Sequence, residues 1–345
     1  MAEWPPIIRA MPDRPLLVRL RNWVGDVTLG LPTLERLAAA GYSLQLLGKP
    51  WAPDLLAGQG WPVHVQPKGL RARVAQLRQL AGEARGRDPG FDRRLNAVAF
   101  PDSFSSALEM RLSGLRAIGH AHEGRSLLLA RSVARPSAAH ALETYWHLGS
   151  ALLGQALPAP GKVHLAVAKA QVEQARELRL SMGIGDGYIV VCPFVGGTFE
   201  KLDKRWPEFA IFVAQDLPPL GRPLVICPGP SEEQEAARDY PACRQLPAVR
   251  LGCYSALLQG AALVVANDTG PGHMAAAVGS PLVSVLGPTD PQRWGAWGPT
   301  VQIVRGAAPA SSTSGGATAT RWPTRDAVRA AVQSALAGRP AQRAR

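Results

Sequence analysis

Cysteine is scarce. The 345 residues hold four, at 192, 227, 243 and 253, and none are spaced C-x-x-C. That excludes a disulfide-framed secreted fold and a thiolate metal ribbon, and leaves reduced, structural thiols in or beside apolar segments. No run of about 18 apolar residues occurs, so no membrane-crossing helix is expected. Residues 1–14 carry Glu3, Asp13 and several prolines where a signal peptide needs unbroken apolar chain, so the expected location is cytoplasmic. No G-x-G-x-x-G follows the first apolar segment and no acidic residue stands at the matching distance, which argues against a nicotinamide-dependent oxidoreductase. His120, His122 and Glu123 lack metal-ligand spacing and read as loop residues, as does the glycine-rich stretch 183–187. Neither a metal nor a cofactor is expected.

What is present describes a globular chain, with 46% hydrophobic and 19% charged residues. Its length exceeds one ordinary core, so two α/β domains are expected. A net charge of +12 suits a polyanionic partner: nucleic acid, an anionic lipid surface or a phosphorylated substrate. An Arg-rich composition with no partner at all would give the same number. Nucleic acid is not expected, because no basic run is interleaved with aromatics and no nucleic-acid-binding signature appears.

Apolar strand-like runs at 16–20, 43–47, 63–65 and 95–100 alternate with helix-patterned stretches at 32–40, 70–84 and 139–153. Such alternation predicts a parallel sheet covered by helices. The Leu-Pro-Ala-Pro-Gly segment at 157–161 interrupts it, placing a seam between domains 1–157 and 158–345. A second series follows, with strands at 188–192, 224–227, 263–266 and 282–286. Residues 308–320 read as a solvated loop, 324–336 as a capped helix that can return to the N-terminal domain, and 338–345 as a fraying end.

Three constellations can carry chemistry. Asn267-Asp268-Thr269-Gly270-Pro271-Gly272-His273 follows a buried strand and opens a small-residue helix. Free N–H groups there, a Thr269 hydroxyl and glycines permitting close approach suit a diphosphate. The same pattern would also serve as a plain turn capped by Asp268 or Thr269. Gly287-Pro288-Thr289-Asp290 places a second polar turn at the same sheet edge. Asn22-Trp23-Val24-Gly25-Asp26 follows the first strand, and a sharp turn at Gly25 would present Asp26 as a general base or merely as a helix cap. Finally, residues 196–207 mix glycines, Thr198 and cations, among which Lys204 could neutralise a leaving diphosphate or simply be solvated.

Taken together, Trp23-Val-Gly-Asp26, Lys204-Arg-Trp-Pro207, Asp268-Thr-Gly270 with His273, and Gly287-Pro-Thr-Asp-Pro291 resemble glycosyltransferase family 9, the lipopolysaccharide heptosyltransferases. Phe100-Pro-Asp-Ser-Phe resembles the branch that adds the second inner-core heptose. The resemblance implies a GT-B fold, two Rossmann-like domains facing across a cleft, with acceptor on the N-terminal and nucleotide sugar on the C-terminal domain. It implies inverting, metal-independent transfer from ADP-heptose to a lipid A-core acceptor at the inner membrane surface. By the same likeness Asp26 is the base and Lys204 the cation facing the departing ADP. Thr198, Asp268, Thr269, Gly270, Gly272 and His273 surround the diphosphate and heptose, and Glu233 stands near the ribose. Lys68, Arg71, Arg73, Arg78, Arg111 and Arg116 are candidates for acceptor phosphates or the membrane face. Pro271-Gly272 and Gly196-Gly197 depart from the family pattern and bear on the sugar. A different nucleotide sugar or acceptor, or a binding protein without turnover, stays open.

Overall fold

The computed structural model describes residues 14–306 and 322–338. Two six-stranded parallel sheets form its frame. The first comprises β1 (Arg14–Arg19), β2 (Tyr42–Gly48), β3 (Val63–Val65), β4 (Ala97–Ala99), β5 (Ala117–His120) and β6 (Arg131–Val133) in the order β3-β2-β1-β4-β5-β6. The second comprises β7 (Ile189–Cys192), β8 (Leu224–Ile226), β9 (Arg244–Gln245), β10 (Leu263–Asn267), β11 (Leu282–Leu286) and β12 (Val301–Arg305) in the order β12-β11-β10-β7-β8-β9. Counted within its own half, each sheet has the doubly wound order 3-2-1-4-5-6, which opens a crevice where the strand order reverses. In the first sheet that crevice lies between β1 and β4, and in the second between β7 and β10.

Central strands such as β10 and β11 are buried at every residue, as expected of parallel strands covered on both faces. The covering helices are α1 (Val24–Ala39), α2 (Ala52–Leu55), α3 (Leu70–Arg87), α4 (Phe104–Leu112), α5 (Ala141–Leu153), α6 (Lys169–Ser181), α7 (Phe209–Gln215), α8 (Glu233–Asp239), α9 (Leu251–Gly260), α10 (Gly270–Ala277), α11 (Pro291–Trp294) and α12 (Arg325–Ala337). Gly41, at φ 86°, ends the α1 segment as a left-handed glycine. Four strands escape the sequence pattern. Of these, β6, β9 and β12 are edge strands, and β5 is short and flanked by arginines at 116 and 125.

Three expectations change. The helix read as beginning at Pro32 begins at Val24 and runs through Pro32, with Thr28 Oγ1 donating to the Val24 carbonyl at 2.8 Å. Burial of Val27, Leu31, Leu34 and Leu37 holds this helix despite the proline, which costs an interior helix hydrogen bond. Gly25 and Asp26 therefore lie in a helical first turn, and Gly25 is not a sharp-turn residue. Second, α12 does not return to the N-terminal half. Its buried Val328 and Val332 pack with Val265, Val283 and Val285 of the second sheet, with Thr324 Oγ accepting from the Ala327 N–H at 3.3 Å as its cap. Third, His120 is a fully buried strand residue, not part of a loop. The expected loop at 308–320 and residues 339–345, like 1–13, lie outside the described residues.

The halves share one apolar core. Leu16, Val18 and Leu31 belong to the same buried cluster as Val264, Met274 and Leu282. Polar ties reinforce it, among them the Gly252 N–H donating to Asp54 Oδ2 at 2.7 Å and Gln171 Nε2 donating to the Asp54 carbonyl at 2.7 Å. All four cysteines are free. Burial pushes the Cys192 thiol up to about 12, where it is inert as a thiolate nucleophile. Among the described residues no helix is long and apolar enough to cross a membrane.

Candidate active site

The N-termini of α1 and α10 meet between the two sheets. Their approach depends on two glycines. A Cβ on Gly25 would lie 2.7 Å from His273 Cδ2, and one on Gly270 would lie 3.1 Å from Val24 Cβ. Beside this contact a cleft of about 500 Å³ is lined by both halves: Arg21, Trp23 and Asp26 from one, Thr198, Lys204, Asp268, Thr269, Gly270 and His273 from the other. Seven of the nine expected site residues thus converge. Gly272 is buried in α10 behind the lining, against Ala266 and the Asn267 carbonyl. Glu233 begins α8 and does not line the cleft, its carbonyl accepting from Gln245 Nε2 at 3.3 Å.

On the C-terminal wall Asp268 is the hub. Its Oδ2 accepts from Thr289 Oγ1 at 2.7 Å and from Lys204 Nζ at 3.3 Å, while Oδ1 lies 3.8 Å from His273 Nε2. Lys204 Nζ also donates to the Asp268 carbonyl at 3.0 Å. Burial by itself would push this carboxyl up. Hydrogen bonding to His273, the Lys204 charge and the Thr289 hydroxyl outweigh it and bring the carboxyl down to about 2. Asp268 is therefore an anion that fixes Lys204 and His273. Neither Asp268 nor Thr269 caps α10, since the N-cap Thr269 makes no side-chain cap bond. Pro271 has no N–H to satisfy, and the Gly270 N–H finds no partner among the described residues. A helix start with a free donor and no internal cap is a ready anion site.

Thr198 and Phe199 reach the cleft from a two-residue hairpin. Phe199 and Leu202 exchange both backbone hydrogen bonds, at 2.9 and 2.8 Å, around Glu200 and Lys201, whose φ values are 49° and 68°. Both central residues are left-handed without being glycine, a backbone strain of about 1–3 kcal/mol each of the kind held at functional loops.

On the N-terminal wall Asp26 is only half satisfied. Its Oδ1 accepts from the Tyr145 hydroxyl at 2.5 Å and lies 3.6 Å from Arg21 Nε, while Oδ2 has no hydrogen-bond partner among the described residues. Arg21 continues to Asp102 at 3.1 Å, which also faces Arg135 at 3.4 Å and His120 Nδ1 at 3.9 Å. Burial lowers the His120 ring to about 4, so at neutral pH it is uncharged. A smaller cavity of about 330 Å³ adjoins the cleft through Arg21 and Trp23 and is lined by Asp102, Ser103, His122 and Arg135.

Tyr145, Arg21, Asp102 and Arg135 escape the sequence reading. Tyr145 lies 119 positions from Asp26, and nothing local marks it. Asp102 was visible only inside the Phe-Pro-Asp-Ser-Phe segment. The six basic residues expected to meet acceptor phosphates line neither cavity. Arg73 pairs with Glu109 at 2.8 Å, Arg78 donates to the Leu112 carbonyl at 2.9 Å, and the other four are exposed. Among the described residues no three His, Cys, Asp or Glu side chains are grouped to hold a metal.

Two facing Rossmann-like sheets with a cleft between them define the GT-B architecture of nucleotide-sugar-dependent transferases. The chain belongs to glycosyltransferase family 9 (heptosyltransferase), whose profile matches residues 87–319. It is 32% identical over 126 residues to lipopolysaccharide heptosyltransferase 3 of Escherichia coli K12, a match covering 34% of this chain and 36% of that one. This chain thus matches about a third of that relative's length. Lipopolysaccharide heptosyltransferase 2 of the same strain is 27% identical over 304 residues, 80% of this chain and 83% of that protein. The fold is also that of the E. coli ADP-heptose lps heptosyltransferase II structure, with a TM-score of 0.71 at 21% identity, over 94% of this chain and 98% of that one.

Proposed function

We propose that this chain transfers a heptose from ADP-heptose to the inner core of lipopolysaccharide, inverting the anomeric centre and needing no metal. The observation that carries this reading is the pairing of unlike walls. Asp26, with one free carboxylate oxygen, shares a cleft with Lys204 and the uncapped start of α10. In this mechanism the acceptor hydroxyl gives its proton to Asp26 as its oxygen bonds to the anomeric carbon. The bond from that carbon to the diphosphate breaks on the opposite face, and the charge gathering on ADP meets Lys204 and the Gly270 N–H. Attack from the face opposite the leaving group inverts the centre.

The nucleotide sugar is assigned to residues 158–345, with Thr198, Thr269, Gly270, Gly272 and His273 around the diphosphate and heptose, Asp268 orienting Lys204 and His273, and Glu233 towards the ribose. The acceptor is assigned to residues 1–157, entering beside Arg21. The shared fold with the E. coli ADP-heptose lps heptosyltransferase II supports the donor. The protein is placed in the cytoplasm, peripheral at the inner membrane face, where exposed Lys68, Arg71, Arg111 and Arg116 suit anionic headgroups. Pro271-Gly272 beside the diphosphate site and Gly196-Gly197 before Thr198 favour a second reading, in which the same machinery takes another nucleotide sugar.

The test is ADP release from ADP-heptose with a heptose-bearing lipid A core acceptor in EDTA. Turnover by the wild-type chain that collapses in Asp26→Ala is the expected result. Wild-type turnover only with a different nucleotide sugar would replace the donor, and full activity in Asp26→Ala would remove Asp26 as the base.

A further inference from the structure

Tyr145 sits on α5, 3% exposed, where a buried hydroxyl needs a partner. Its position is fixed from several sides. The ring packs on Phe100 with centroids 5.2 Å apart at 30°. A Cβ on Gly30 of α1 would lie 3.1 Å from Phe100 Cε2, and one on Gly149 of α5 would lie 2.7 Å from Thr33 Cγ2 of α1. Gly149 thus lets α5 lie close on α1, Gly30 leaves room for Phe100 beside the Tyr145 ring, and the hydroxyl reaches Asp26 Oδ1 at 2.5 Å.

Arg21 approaches the same oxygen, with Nε 3.6 Å away, and is itself anchored on Asp102. Oδ1 thus accepts the Tyr145 hydroxyl and faces the Arg21 charge, and Oδ2 has no hydrogen-bond partner among the described residues. A freely rotating carboxylate would present either oxygen, at either angle, to an incoming hydroxyl.

We propose that Tyr145 is the positioning residue for Asp26, its hydroxyl clamping Oδ1 so that Oδ2 is held towards the acceptor hydroxyl. This rests on the reading of Asp26 as the base. Burial, followed by the neighbouring Asp26 charge, raises the Tyr145 hydroxyl well above 10, so it remains a donor throughout the working pH range and never competes for the acceptor's proton. Arg21 on the same oxygen restrains the carboxylate against rotation about its own axis.

The test compares the full chain with Tyr145→Phe, Phe100→Leu and Asp26→Ala, using ADP-heptose and the heptose-bearing lipid A core acceptor with both concentrations varied. Tyr145→Phe keeps the ring and its packing. Its kcat is expected to fall about ten- to a hundredfold with both KM values little changed, the signature of a misoriented base. Phe100→Leu keeps the hydroxyl and disturbs the packing, so it should lower thermal stability while losing much less kcat. Two results overturn the proposal: a Tyr145→Phe kcat within about twofold of wild type while Asp26→Ala is inactive, or equal losses of kcat in Tyr145→Phe and Phe100→Leu, which would reduce Tyr145 to packing. Full activity in Asp26→Ala would instead overturn the reading of the base, and Tyr145 would lose its role with it.

Discussion

Asp26 and Asp268 stand on opposite walls of one cleft and are buried to nearly the same degree, with side chains 14% and 11% exposed. Their surroundings differ in how many bonds they complete. Asp268 accepts two hydrogen bonds on Oδ2, from Lys204 and Thr289, and its Oδ1 faces the His273 ring at 3.8 Å. Asp26 accepts one hydrogen bond, from Tyr145 on Oδ1, with Arg21 Nε 3.6 Å from the same oxygen, and Oδ2 accepts none from the described residues. At equal burial, a directly bonded lysine marks the carboxylate that holds a cation in place, and the carboxylate with a lone hydroxyl donor is the one proposed to take a proton. Exposure alone would not separate them.

Breaking each wall in turn sharpens the contrast. Asp26→Ala should cost the most activity, about 10²–10⁴-fold in kcat as for other general bases, together with about 1–3 kcal/mol of stability, because the buried Tyr145 hydroxyl loses its acceptor. Steady-state ADP release together with a melting curve checks both halves of that expectation. Lys204→Ala should come next, at about 10²–10³-fold, the usual cost of one donor to developing charge. It should also destabilise the fold, because Asp268 is left buried without its cation, a loss of about 1–3 kcal/mol in denaturant unfolding.

Gly25→Ala attacks the meeting point of the walls. Its added methyl lies 2.7 Å from His273 Cδ2, so the domains must part or His273 must move. About 1–3 kcal/mol of stability and a raised donor KM are expected, and an unaltered melting curve and KM would show that the halves do not need this contact.

The smallest effect is in acid. Because the Asp268 carboxyl is lowered to about 2 from 3.8, the unfolded chain takes up a proton before the folded one. The associated stability, about 2 kcal/mol, is complete above pH 4 and is lost as the pH falls towards 2. Asp268→Asn should flatten that part of the stability profile.

How much of this could be read in advance follows the same divide. The Asp268 wall is largely local: a buried strand, a Thr-Gly pair and a helix start lie within one segment, so sequence order displays the phosphate side directly. Alternating strands likewise announce parallel sheets. The Asp26 wall is assembled from β1, α1, the segment after β4, and α5, so Tyr145 and Arg135 become visible only when those elements fold together. Pro32 misled for a related reason, since a proline read as a helix start is outweighed by the buried leucines on either side of it. The α3 and α4 cations show the limit of charge: their number suggested a phosphate site, but the fold spends some on Glu109 and the Leu112 carbonyl and sets the rest on the surface.

The repeated strand order has a consequence for how such a protein can change. Each half carries its own crevice, and the segments that line the cleft follow β1 in one sheet and β7, β10 and β11 in the other. No strand is shared. On the proposed division of substrates, their recognition is inherited on separate modules, so one half can drift towards a new acceptor while the other keeps its nucleotide, provided that Gly25 and Gly270 preserve the fit where the modules touch.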